Sequence, residues 1–411
     1  MTVYASFRQM LFLVLPFYLL SCSGQTGSPS TQKPTAAGDK KVGGAFENAD
    51  FIDIGKPGNI SATDTSAGWA QNGQKLLITG TIYQLNGKTP APGVLLYYYH
   101  TNTAGRYIHK PGEKQSMPPN GLGQTHGYIR GWVKSDENGR YAIYTVKPGA
   151  YPTRDEPAHI HLTIQEPGIQ NNYYLDDLVF DDDELLTTAK RKKMENRGGS
   201  GILRLLQKGG LQIAEHNIIL GLHIPHYPRI NTSTIQSGLD IGEDQPSFTP
   251  YHAYGPDKGS RACPVCKYGR YHGIIYFVGN HPDWTGIKKW LVFLEQQSIA
   301  RSKYLKVYFV YGNDQDYTKA TRQAELEQMG TGLKLNNTAL TFVPSFADTE
   351  SGAIFNKVNP DAENTFVIYR NSTIIEKFID LKPTEKNFRL LSKELDTKKG
   401  DYFDLNHATL H

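Results

Sequence analysis

The chain has 411 residues, a formal net charge of +4, and 11% aromatic side chains including 25 tyrosines. That length suits two domains, and the aromatic content can fill their cores. The charge is modest and spread along the chain, which leaves no basic footprint for nucleic acid, and three cysteines exclude a disulfide-built scaffold. Forty glycines and 23 prolines favour a turn-rich β protein over a helical bundle.

Residues 1–21 carry one charge, Arg8, ahead of the apolar run MLFLVLPFYLLS, the layout of a secretory signal. LLSC, ending at Cys22, resembles the lipobox of bacterial lipoproteins, which implies a lipidated Cys22 at the mature N-terminus. An ordinary signal peptide or a short anchor is the alternative. Polar residues 22–48 then read as a flexible tether. The expected location is outside the cytoplasm, lipid-anchored to a bacterial membrane in the periplasm or at the cell surface.

Residues 49–232 read as an all-β sandwich. KLLITGTIYQL (75–85), GVLLYYYHT (93–101), GYIRGWVKS (127–135), RYAIYTV (140–146) and AHIHLTIQE (158–166) are β-branched and aromatic, and turn chemistry separates them. GILRLLQ and NIILGLHI close the region, after a loop-and-helix excursion over the acidic stretch from Tyr174 to Arg197. The basic run KRKKMENR within it is a solvated face. Residues 233–258 lose the alternation and read as a linker.

From 259 to 400 the pattern becomes α/β: strand 273–279, helix 283–299, strand 304–312, helix 317–330, strand 339–346, a hairpin over 365–380 through Arg370-Asn371, and a helix over 384–396. Residues 401–411 are a tail. The order resembles the thioredoxin-like fold. The C-x-x-C pair Cys263 and Cys266, however, precedes the first core strand, where that family places its cysteines after it. A structural disulfide is the first reading, an active redox pair the second, and a metal pair with His272 the third.

The chemistry centres on EPAHIHL. In a strand, residues i and i+2 share a face, so His159 and His161 present their imidazoles together; alone, that pair is as compatible with a polar strand face as with a metal. G-R-Y ending at Tyr107, K-P-G-A-Y-P around Tyr151, and P-A-H-I-H occur in one order that resembles the intradiol ring-cleavage dioxygenases, over nearly all of 49–230. The resemblance implies one non-haem Fe(III) held by Tyr107, Tyr151, His159 and His161, with Tyr151 and His161 axial. It also implies a catecholic substrate, O2 as co-substrate, and a ring-opened muconate-type product. Hard phenolate oxygens suit a ferric ion.

Two positions depart from the family pattern. Glu156 stands where an arginine is expected, leaving Arg154 as the candidate catalytic substitute, and Asp177 falls where the family carries a glutamine. Both make the surroundings more acidic and disfavour a carboxylated catechol unless Arg154, Arg130 or Lys147 turns inward. Of the remaining histidines only His126 attracts attention. Two other functions stay open: a non-catalytic module binding catechols, siderophores or carbohydrate, and a thiol–disulfide oxidoreductase through Cys263 and Cys266.

Overall fold

The computed structural model describes residues 41–46, 49–228, 235–315 and 317–399. The expected signal segment, Cys22, most of the tether and the 401–411 tail lie outside the described residues. Among the described residues, no helix is long and apolar enough to cross a membrane.

The N-terminal part is built from β1 (Thr63–Thr65), β2 (Lys75–Tyr83), β3 (Leu95–His100), β4 (Arg130–Lys134), β5 (Arg140–Val146) and β6 (His159–Gln165). It continues with β7 (Tyr173–Tyr174), β8 (Leu178–Phe180), helix α1 (Thr188–Arg191), β9 (Ile202–Leu203), β10 (Leu206–Lys208), β11 (Leu211–Glu215) and β12 (Ile218–Ile219). One sheet runs β1-β5-β2-β11-β10 with β12 on β2; the other runs β4-β3-β6-β8-β9 with β7 on β6. Alternation along the strands decides what each face carries. Leu96, Tyr98, Ile160, Leu162 and Ile164 point into the core between the sheets, with Leu76, Ile78 and Ile143 opposite. Their neighbours Leu95, Tyr97 and Trp132 form a separate cluster on the outer face of the second sheet, with Tyr99 and Ile52. The outer face of that sheet is therefore where the two histidines must lie.

The C-terminal part comprises β13 (Tyr251–Tyr254), α2 (Pro264–Tyr268), β14 (His272–Val278), α3 (Trp284–Ala300), β15 (Leu305–Tyr311) and α4 (Lys319–Leu333). After these come β16 (Thr338–Phe342), β17 (Thr365–Arg370), β18 (Thr373–Ile379) and α5 (Glu385–Lys399). They form one mixed sheet, β13-β16-β15-β14-β17-β18, parallel across β16, β15 and β14 and antiparallel elsewhere. Ile274, Tyr276 and Val278 face the helices through Trp290, Leu291, Leu294, Leu391 and Leu395. Ile275 and Phe277 face the irregular segments carrying Leu239, Phe248 and Phe346.

Two expectations need correction here. Residues 233–258, expected as a linker, contain β13, and Leu239 and Phe248 are buried. The segment lacks alternation because it contributes backbone pairing to β16 and a few isolated apolar anchors rather than a full strand face. The acidic excursion likewise carries two strands, since the apolar triplet of β8 suffices to pair with β6. Residues 242–245 bridge the two parts: Gly242 N–H donates to Ile374 O (2.8 Å), Ser200 N–H donates to Gly242 O (2.8 Å), and Arg204 clamps Asp244 at 3.0 and 2.8 Å.

Candidate metal centre

β6 begins at His159, and the pleat puts His159 and His161 on the outer face. Two loops close over that face and bring Tyr107 and Tyr151 to them. Their backbones touch: Gly105, at φ 72°, has Ala150 O only 1.8 Å from where a Cβ would stand, so only glycine permits the approach. Asn102 ties the two together, its carbonyl accepting from Gly149 N–H (3.0 Å) and its side chain from the amides of Ala104 and Arg106 (3.0 and 3.1 Å).

Four donor atoms converge. His161 Nε2 lies 3.0 Å from the Tyr107 hydroxyl, Tyr107 and Tyr151 hydroxyls are 3.2 Å apart, and the Tyr151 hydroxyl is 3.2 Å from His159 Nε2. Ligands each about 2.0–2.2 Å from a common metal stand roughly 3 Å apart at right angles, so the spacing fits one ion. The far ring nitrogens set the tautomers. His159 Nδ1–H donates to Pro157 O (2.8 Å), and His161 Nδ1–H donates to Asp177 Oδ1 (2.7 Å), which leaves both Nε2 lone pairs facing the phenols. Asp177 also falls within a group with His159 and His161 whose ligand atoms lie within 4.8 Å of one another, but it meets His161 on the ring edge away from the phenols.

Burial governs the electrostatics. It raises Tyr107 well above its ordinary pKa and pushes Tyr151 up to about 12, so without a cation both remain phenols. It also lowers His159, helped by the neighbouring His161, and so keeps that imidazole neutral and able to ligate. For Asp177 burial opposes ionisation, but the charge and hydrogen bond of His161 outweigh it and hold the carboxyl below its usual range. Two phenol oxygens and two imidazole nitrogens are a donor set for a hard, strongly Lewis-acidic cation.

Behind the site stands an aromatic column that motif reading alone did not supply. Tyr99 stacks on His161 at 4.5 Å and on His126 at 3.5 Å, the latter pair nearly parallel. His126 Nδ1 meets the Tyr97 hydroxyl at 2.8 Å, and burial drives the imidazole down to about 2. The sequence signal was the Tyr97/Tyr99 alternation on β3, which shares a face with His161.

The structure does not bring Arg154, the expected catalytic substitute, together with the four donor groups. Arg154 sits at φ 54°, its side chain is 61% exposed, and it pairs with Glu184 at the surface. The tight turn after Tyr151, closed by Arg154 N–H to Tyr151 O (2.8 Å), carries it outward. Neither other basic candidate turns inward: Arg130 donates to Phe51 and Ile54 carbonyls beneath Tyr97, and Lys147 pairs with Asp182 at 2.9 Å. Glu156 is half-buried, and burial together with Asp155 and Asp177 raises its carboxyl. Cys263 and Cys266 form a disulfide with an S–S distance of 2.11 Å, and Cys263 Sγ caps α2 by accepting from Cys266 N–H (3.0 Å).

Residues 47–196 match a family model described as a dioxygenase. The chain is 35% identical over 98 residues to the protocatechuate 3,4-dioxygenase beta chain of Burkholderia cepacia, covering 22% of this chain and 39% of that one. It is 30% identical over 146 residues to the catechol 1,2-dioxygenase of Acinetobacter baylyi, covering 30% and 44% respectively. The chain thus spans less than half the length of these curated relatives. Among solved structures, the dioxygenase domain of a dioxygenase–carbohydrate-binding protein fusion from Streptomyces sp. SirexAA-E matches at 18% identity and a TM-score of 0.30, over 40% of this chain and 90% of that one. Hydroxyquinol 1,2-dioxygenase from Pseudomonas putida DLL-E4 matches at 20% identity and a TM-score of 0.29, over 46% and 68%. The family model and the two curated relatives support the intradiol dioxygenase family for this segment.

Proposed function

We propose that this chain is an intradiol dioxygenase that opens a catecholic ring with O2 to give a muconate-type dicarboxylate. Both oxygen atoms enter the product, so the reaction needs no external reductant. The observation that carries the reading is the convergence of Tyr107, Tyr151, His159 and His161 through contacts of 3.0–3.2 Å. These four residues would hold a ferric ion, which when bound supplies the Lewis acidity that makes a catecholate reactive toward O2. Tyr151, as a phenolate, is the group to which the family resemblance assigns the proton from the incoming catechol. The carbonyl of Pro157 and the carboxylate of Asp177 keep the two imidazoles aimed while that proton moves. The half-buried stack of Tyr99 and His126 covers one face of the His161 ring.

The charge around the site favours a catechol without a carboxylate. Arg154, Lys147 and Arg130 are each committed elsewhere, whereas Glu156 and Asp177 are not offset by them. The same acidity is the observation that favours the second reading, a catechol-binding module without turnover. Loading the protein with ferric iron and adding catechol separates the two. The enzyme is coloured by tyrosinate-to-iron charge transfer and consumes O2; a binding module is coloured and consumes none. A colourless protein that takes up no iron refutes both.

The C-terminal part we read as a degenerate thioredoxin-like domain, on the strength of its strand order and final hairpin-plus-helix. Cys263 and Cys266 precede β14, which supports a structural disulfide over a redox centre. Export and lipid anchoring through Cys22 complete the proposal; a Cys22→Ser variant that stays membrane-bound and normally processed refutes the anchor.

A further inference from the structure

The two imidazoles of the candidate centre are held by different acceptors. His159 donates to a neutral carbonyl, Pro157 O at 2.8 Å, and His161 donates to a carboxylate, Asp177 at 2.7 Å. The sheet fixes the second contact. β6 and β8 pair antiparallel with His159 opposite Val179 and Ile160 opposite Leu178, so one further step sets Asp177 across from His161 on the same face. The backbone around Asp177 is clamped as well. Asp176 accepts from Asn196 N–H (2.7 Å), and a Cβ on Gly201 would stand 2.5 Å from Asp177 O.

We propose that Asp177 is a positioning residue that makes His161 the stronger donor of the pair and lowers the ferric/ferrous potential of the centre. An anionic acceptor on Nδ1–H draws the proton's charge away from the ring and enriches Nε2, which stabilises a trivalent ion more than a divalent one. A neutral acceptor, as at His159, does this less. The inference rests on the ferric reading of the site. It differs from a site in which Asp177 itself ligates the metal, because its carboxylate occupies the ring nitrogen opposite the one that faces the phenols.

The experiment compares the full chain loaded with ferric iron against Asp177→Asn and Asp177→Ala. The midpoint potential is followed through the visible tyrosinate band, and ferric affinity is measured by chelator competition. Both variants should keep the band and move to a more positive potential, and Asp177→Ala should bind ferric iron about 10–100-fold more weakly. Asp177→Asn differs only in replacing one carboxylate oxygen by NH2 and decides the matter if the alanine variant fails to fold. An unchanged potential in folded Asp177→Asn overturns the inference. So does complete loss of iron from that variant, which would make Asp177 a ligand. A wild-type chain that takes up no ferric iron and shows no band overturns the ferric reading itself, before any substitution is made.

Discussion

His216 offers a measurement of how the sandwich responds to acid. It follows β11, is 7% exposed, and lies between the sheets, where the Tyr141 hydroxyl donates to its carbonyl at 2.8 Å and stands 3.0 Å from Nδ1. Burial lowers its imidazole to about 4, against a smaller opposing pull from the Ser200 backbone. The unfolded chain has an ordinary imidazole near 6.5. The folded pKa is the lower one, so the neutral form is the native form. Its contribution is fully present above pH ~6.5 and is lost as pH falls toward 4. Over about 2.5 units at 1.36 kcal/mol each, that is about 3 kcal/mol. His216→Gln cannot titrate, so whatever its constant packing cost, its stability should decline less. Urea unfolding followed by tryptophan fluorescence from pH 7.5 to 4.5, on iron-free protein, gives both curves. The wild type should lose about 1.2 kcal/mol more per pH unit around pH 5 than the variant. Curves parallel to within about 0.5 kcal/mol would refute the reasoning.

Three further outcomes follow from the site. Gly105→Ala drives a Cβ into Ala150 O at a positive φ, so it should cost about 1–3 kcal/mol and weaken ferric binding by separating Tyr107 from Tyr151. Gly112→Ala, also at positive φ but with no atom within 4 Å, is the control and should leave iron binding unchanged. Glu156→Arg should raise the rate ratio of a carboxylated to an unsubstituted catechol by about tenfold, read from O2 uptake; an unmoved ratio places Glu156 outside substrate reach. Arg154→Ala, which removes an exposed pair with Glu184, should change stability by less than about 1 kcal/mol and leave kcat/KM within about twofold.

What could be read in the sequence is what strand geometry and fixed spacing carry. The alternation of β6 assigns His159 and His161 to one face without any knowledge of the partner sheet, because the pleat has period two, whereas Tyr99 joins them only through the β3–β6 register. Tyr107 and Tyr151 are legible through the glycines and prolines of their turns, since Gly105 and Gly149 are where the two loops meet. In the C-terminal part, the eight strands and helices from β14 to α5 follow the hydrophobic pattern closely. β13 does not, because four residues pairing by backbone on a sheet edge leave no side-chain pattern to see.

Charge was legible in sign and not in direction. Glu156, Asp177 and Arg154 all sit within a few residues of the ligand motifs or the acidic stretch, and sequence separation treats them alike. The outcome for each depends on a contact made elsewhere in the chain. Arg154 is drawn out by Glu184, 30 positions on, across a turn whose left-handed residue is Arg154 itself. Asp177 is drawn in by register, because the β6–β8 ladder places it across from His161, and a strand of three residues is too short to announce itself. An aspartate at this position therefore means something specific in this fold. Its negative charge falls on the hydrogen bond that orients His161.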